Sequence, residues 1–255
     1  MQPEMTTPPP IKRLWSPGLT IAFSLVIFIA YGAAQTLVAL FFAVDQFTAN
    51  PNVDVFQMAQ NLSSNGLMIS IATIFSAIVG IGFIALFIRR RKGFSLSEYL
   101  ELKSLTGRKI VLLCGLGLAL VLASALVNNV LGIPDDSSGF TVEAFRSSVS
   151  PALFGIAVVI FAPAFEEAFF RGFLFVGLRQ SRLGSVGTVI FTALIWAALH
   201  LQYDLYGMLT ILILGIILGI VRLKTGTLWG PLVIHAFWNL LTFISVSLVV
   251  NGIIK

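Results

Sequence analysis

Three ionisable side chains, Glu166, Glu167 and Arg171, stand inside a run that is otherwise almost wholly apolar, from Phe161 to Phe175. On a helix Glu167 and Arg171 are four apart and share a face, with the acid on the favourable N-terminal side, so they can neutralise each other. Glu166 is rotated by about 100° from that pair and needs another polar partner, a water-filled pocket or a proton. At the centre of a bilayer each charge costs at least a few kcal/mol, and an ionisable residue there is a functional hypothesis by default. The chain has two histidines, and both fall in apolar segments: His200 in WAALHLQYD, and His235 in GPLVIHAFWNLL with Asn239 four residues on.

Polar groups at this depth seek one another, so a shared pocket is the economical arrangement. A carboxylate in a low-dielectric site beside a neutral imidazole can deprotonate water. An imidazole and an amide can donate hydrogen bonds to the oxyanion of a tetrahedral intermediate. Together these are the parts of a hydrolase that uses water as nucleophile. Glu166, His200 and His235 could instead ligate Zn²⁺, although no HExxH spacing is present. No serine stands in a GxSxG setting, and the single cysteine, Cys114, lies in an apolar run where packing is its ordinary role.

The elements that must position these groups are membrane spans. Hydrophobic residues make up 57% of the 255 residues, charged residues 11%, and the mean hydropathy is +0.97. That composition excludes a soluble domain. We expect an all-α, polytopic transmembrane helix bundle of about seven spans, or eight if one is split. The runs are 18–44, 66–88, 110–133, 151–178, 184–201, 205–221 and 228–250, each near the 20 residues that cross the hydrocarbon. Residues 1–17 read as a disordered cytoplasmic tail without the shape of a signal peptide. Residues 18–93 read as an N-terminal transmembrane hairpin, and 94–255 as the membrane domain with the polar residues. The polar segment GFSLSEYLELKSLTGRK reads as lying along the membrane surface, and the loop with Asp135 and Asp136 as acidic and external.

Lys and Arg gather before the first span and after the second, fourth and sixth, and the intervening loops are neutral or acidic. The net charge of +5 therefore reflects topology, not nucleic-acid binding. The positive-inside rule puts the N-terminus in the cytoplasm and, with seven spans, the C-terminus outside. One difficulty follows: Glu166 and His235 then lie near mid-bilayer, whereas His200 falls near the outer end of the fifth span. A shorter or tilted fifth span, or an inward-dipping loop, would bring it back.

With EExxxR at Glu166, Glu167 and Arg171, an aromatic four before a histidine at Trp196 and His200, and HxxxN at His235 and Asn239, the sequence resembles the CAAX protease and bacteriocin-processing family. That family, also called Abi proteins, includes the eukaryotic type II CAAX prenyl endopeptidases, and the resemblance covers roughly residues 94–250. It implies a glutamate-dependent intramembrane endopeptidase acting on membrane-associated, prenylated or leader-type peptides. It makes Glu166 the general base, aided by His200, with His235 and Asn239 stabilising the oxyanion and Glu167 and Arg171 as supporting charges. Trp196 departs from the commoner Phe and would narrow the cavity. The mechanism so implied needs no metal, with zinc on Glu166, His200 and His235 as the alternative. Expected partners are a membrane-associated peptide or protein substrate and the lipid bilayer, with no nucleic acid. The compact chain with its short loops suits a prokaryotic plasma membrane. A non-catalytic scaffold or immunity protein could use the same polar core, and a small transporter is a third reading, weakened by the lack of inverted repeats.

Overall fold

Apolar runs in lipid must satisfy their backbone hydrogen bonds internally, which makes helices of them. The computed structural model describes residues 13–133 and 139–254, and among these every regular element is helical. Residues 1–12 of the expected tail, and Asp135 and Asp136 of the expected acidic loop, lie outside the described residues. The elements are α1 (Pro17–Ala49), α2 (Val55–Ser63), α3 (Gly66–Arg90), α4 (Leu96–Tyr99) and α5 (Gly107–Leu131). They continue with α6 (Gly139–Arg146), α7 (Pro151–Leu178), α8 (Gly184–Ala198), α9 (Leu205–Thr225) and α10 (Trp229–Val250). Their starts are written in the sequence. The side chains of Ser16, Asp54, Asn65, Thr106, Ser150 and Asp204 each accept a hydrogen bond from the backbone N–H of the third residue of the following helix.

Among the described residues six helices are long and apolar enough to cross a membrane. The seventh expected span is the exception. α8 has 15 residues and ends at Ala198, three residues before the expected boundary. At 1.5 Å per residue it is about 22 Å long, against a hydrocarbon thickness of about 30 Å.

Alternation of direction collects the basic residues at one end. There the Arg91 Nε donates to the Arg13 carbonyl, the Arg91 guanidinium sits 5.0 Å from the Trp15 ring centroid, and the Trp15 indole donates to Phe87 O at 3.3 Å. These contacts tie the start of α1 to the end of α3. The segment expected on the membrane surface tucks beneath the same end of the bundle. Tyr99 and Leu100 are buried, and Tyr99 stacks on Phe173 of α7 with centroids 5.7 Å apart. Burial also pushes the Tyr99 phenol up to about 12.

Glu101, with a φ of +55° that is unusual for a residue bearing a side chain, ends this segment. It binds Arg179 at 2.7 Å and Arg222 at 2.5 Å, while its carbonyl accepts from Leu228 N at 3.2 Å. Burial raises the Glu101 carboxyl, but the two arginines more than offset this and hold it below its ordinary 4.5. A depressed carboxyl contributes stability that is present above about pH 4.5 and is lost as pH falls through the lower folded value. Glu101→Gln is therefore expected to cost about 1.5–3 kcal/mol at neutral pH and to flatten the acid side of a plot of Tm against pH. An unchanged acid-side slope in detergent-solubilised variant would refute the pairing.

α1 and α3 pack together and against α7. Tyr31 of α1 stacks on Phe165 with centroids 4.1 Å apart and planes at 7°. On α3, Gly80 lies so close to Phe165 that a Cβ there would overlap the ring. The hairpin thus forms the wall behind the helix that carries the paired acids.

Candidate active site

α7 is wound in an unusual way. Two stretches, Ala157–Phe161 and Glu167–Leu174, are π-helical, and such turns recur at functional sites. In a π turn the Val158 carbonyl would receive the N–H of residue 163, but Pro163 has none. Asn239 of α10 supplies the missing donor, its Nδ2 lying 2.8 Å from Val158 O. The amide keeps a second N–H and its carbonyl oxygen beyond this bond.

The second π stretch carries the charges. Glu167 and Arg171 are both fully buried and pair at 2.8 Å, as the four-residue spacing predicts. The same Glu167 oxygen lies 2.8 Å from His235 Nδ1. The other guanidinium nitrogen of Arg171 donates to Gly215 O of α9 at 3.1 Å, and the guanidinium sits 4.5 Å from the Trp196 ring centroid. One shared oxygen therefore joins α7 to α10, and Arg171 joins both to α8 and α9. Glu166 is different. Its side chain is 20% exposed, its Oε2 accepts the Trp196 indole N–H at 2.5 Å, and His235 Nε2 stands 4.0 Å away. The unshared carboxylate expected from the sequence has an indole and an imidazole as its neighbours.

The hydrogen-bond partners fix where the imidazole protons sit. A carbonyl only accepts, so His200 Nδ1, 2.7 Å from Trp196 O, carries a hydrogen. A carboxylate already engaged by Arg171 is likewise an acceptor, so His235 Nδ1–H donates to Glu167. With a single proton on the ring, each imidazole then presents an Nε2 lone pair. Trp196 is the hub: its ring meets His200 at 5.1 Å and 80°, and His235 at 5.2 Å and 73°. His200 in turn stacks on Tyr203 at 6.2 Å and 22°.

The short α8 removes the depth difficulty of His200. Glu166 lies 12 residues before the end of α7 at Leu178, and Trp196 lies 12 residues after the start of α8 at Gly184. Both are about 18 Å from the turn that joins the two antiparallel helices. The helix then stops, so His200 sits just beyond its C-terminus and not at the far side of a full crossing.

All of the residues singled out in the sequence are accounted for. Glu166, Glu167, Arg171, Trp196 and His235 are linked by direct contacts, His200 joins them only through the carbonyl and ring of Trp196, and Asn239 bonds to α7 at Val158 O. For the zinc alternative, the Nδ1 atoms of both histidines are held by a backbone carbonyl and a carboxylate, as in metal-ligating histidines, which leaves both Nε2 atoms free. Among the described residues no three His, Cys, Asp or Glu side chains are grouped closely enough to hold a metal ion.

The role of the Trp196 N–H carried no sequence signal, because an aromatic before a histidine says nothing of its polar edge. Arg222 was missed as well. An arginine in the last turn of an apolar run reads as a topology signal, yet its side chain is 1% exposed and its Nε donates to the Arg171 carbonyl at 3.0 Å. Trp196→Phe keeps the ring and deletes the donor, and is expected to lower kcat/KM by about 10- to 100-fold, the worth of a hydrogen bond to a charged group. Unchanged kinetics would remove the indole from the site's electrostatics.

Residues 148–241 match the family model described as type II CAAX prenyl endopeptidase Rce1-like. The match supports the resemblance to the CAAX protease and bacteriocin-processing family, and a CAAX-type intramembrane protease in general. With the six apolar helices it identifies an integral membrane protein. No curated protein and no solved structure matches the chain.

Proposed function

Starting from an Rce1-like domain at residues 148–241, we propose that this protein is a glutamate-dependent intramembrane endopeptidase that cleaves membrane-associated peptides with an activated water. The observation that carries the reading is the inequality of the two acids. Glu167 is sealed at 0% exposure in a three-way network, whereas Glu166 is 20% exposed. A scaffold needs the first carboxylate and has no use for the second.

In the proposed reaction Glu166 takes a proton from water, with the His200 Nε2 lone pair helping to orient that water. The water oxygen bonds to the scissile carbonyl carbon, and the carbonyl oxygen becomes an oxyanion. The second Asn239 N–H and an Nε2–H of His235 are its donors. Because the Nδ1 hydrogen of His235 is committed to Glu167, its Nε2 donates in this step only when the ring carries both protons. The proton held by Glu166 then passes to the departing amine nitrogen as the C–N bond breaks. No step passes through a metal.

The basic end of the bundle is cytoplasmic in this reading, by the positive-inside rule. It puts the N-terminus in the cytoplasm, the end of α10 outside, and the protein in a prokaryotic plasma membrane. Substrates enter from the membrane or the cytoplasmic side.

The test is cleavage. Reconstituted protein, offered a library of membrane-associated peptides, should yield fragments by mass spectrometry that persist in excess chelator. Activity lost to chelator and restored by Zn²⁺ would overturn the metal-free route. His235→Ala is expected to lower the rate by about 10²- to 10³-fold, as removal of one oxyanion donor does. A variant as fast as the parent would dismiss that role.

A further inference from the structure

The basic end holds several cationic side chains without a partner among the described residues, and two of them, Lys109 and Lys224, share one cleft. Arg91 is bound to the Arg13 carbonyl and stacked on Trp15, and Arg179 and Arg222 are paired with Glu101. Lys109, in the first turn of α5, and Lys224, in the last turn of α9, are exposed. Among the described residues neither ammonium has an ion-pair or hydrogen-bond partner. Both line one open surface cleft of about 210 Å³, together with Leu112, Leu113 and Thr225.

We propose that this cleft binds the headgroup of an anionic glycerophospholipid, its phosphate between Lys109 and Lys224 and its acyl chains along the outer face of α5. Three observations favour a lipid over other anions. The two ammonium groups come from different helices and are uncompensated, so they repel each other until an anion lies between them. The floor is apolar: Leu112 and Leu113 lie one turn deeper, where glycerol and the first acyl carbons would sit and a free inorganic anion would gain nothing. From that floor the exposed side chains of Leu116, Val127 and Val130 continue down the same face of α5, a surface that suits hydrocarbon. Basic pockets between transmembrane helices on the cytoplasmic side are a known mode of anionic headgroup recognition. This inference is independent of the peptidase reading.

The experiment uses the full chain, purified in neutral detergent, with native mass spectrometry reading bound phosphatidylglycerol against phosphatidylcholine. Phosphatidylglycerol should be retained over phosphatidylcholine. Lys109→Gln and Lys224→Gln should each weaken retention roughly fivefold, while Arg108→Gln, outside the cleft, should leave it unchanged. Lys109→Arg with Lys224→Arg should keep binding, and decides the matter if the double Gln variant fails to fold. Equal retention of the two lipids, or a double Gln variant that binds like the parent, would overturn the site. Displacement of the lipid by inorganic phosphate at equal concentration would show a free-phosphate site and overturn the lipid assignment.

Discussion

Glu166→Gln is expected to lower cleavage of a membrane peptide by about 10²- to 10⁴-fold, the ordinary worth of a general base, while thermal stability stays within a few degrees of the parent. The substitution keeps the volume, and the Gln carbonyl can still accept the Trp196 indole N–H that Glu166 Oε2 receives. Only the capacity to take a proton is gone. The contrast with its neighbour makes the result decisive. Glu167 holds Arg171 and His235 on one oxygen at 2.8 Å each, so Glu167→Gln should cost stability before it costs chemistry. If instead Glu167→Gln were stable and inactive while Glu166→Gln still turned over, the roles of the two acids would be exchanged.

Arg171→Met has the largest expected effect on stability. Both partners of the ion pair are 0% exposed, so the variant leaves the Glu167 carboxylate buried against a single imidazole. Breaking a buried pair on one side costs about 3–5 kcal/mol, or roughly 6–20 °C in Tm for a chain of this size. The loss is amplified because Arg171 also donates to Gly215 O and so helps hold α9 to α7. Combining it with Glu167→Gln removes both charges, and the double variant should recover part of the loss, since the penalty comes from the uncompensated charge and not from the missing contact. A single variant as stable as the parent would mean that water reaches Glu167.

Much of this was legible in one dimension. Long apolar runs bounded by Lys and Arg can be stable in lipid only as helices, and the side on which the charges accumulate follows from their alternation. Six of the seven expected spans and the common basic end follow from those two facts. The pairing of Glu167 with Arg171 is also local, because residues four apart on a helix have few other places to go. Likewise the surplus of one acid over its counter-charge can be read from the spacing alone.

Contacts between helices decided the rest, since they depend on depth and rotation, which no run of residues encodes by itself. Where α8 stops, at Ala198, sets the level of His200. The first π stretch of α7 lies where Pro163 withholds a donor and Asn239 replaces it from another helix. Trp196 looked like bulk and became a hydrogen-bond donor to Glu166, because a polar edge matters only once a buried acceptor is brought to it. Arg222 looked like a topology marker and proved to be buried, because Glu101, 121 residues away in the chain, reaches under the bundle to neutralise it.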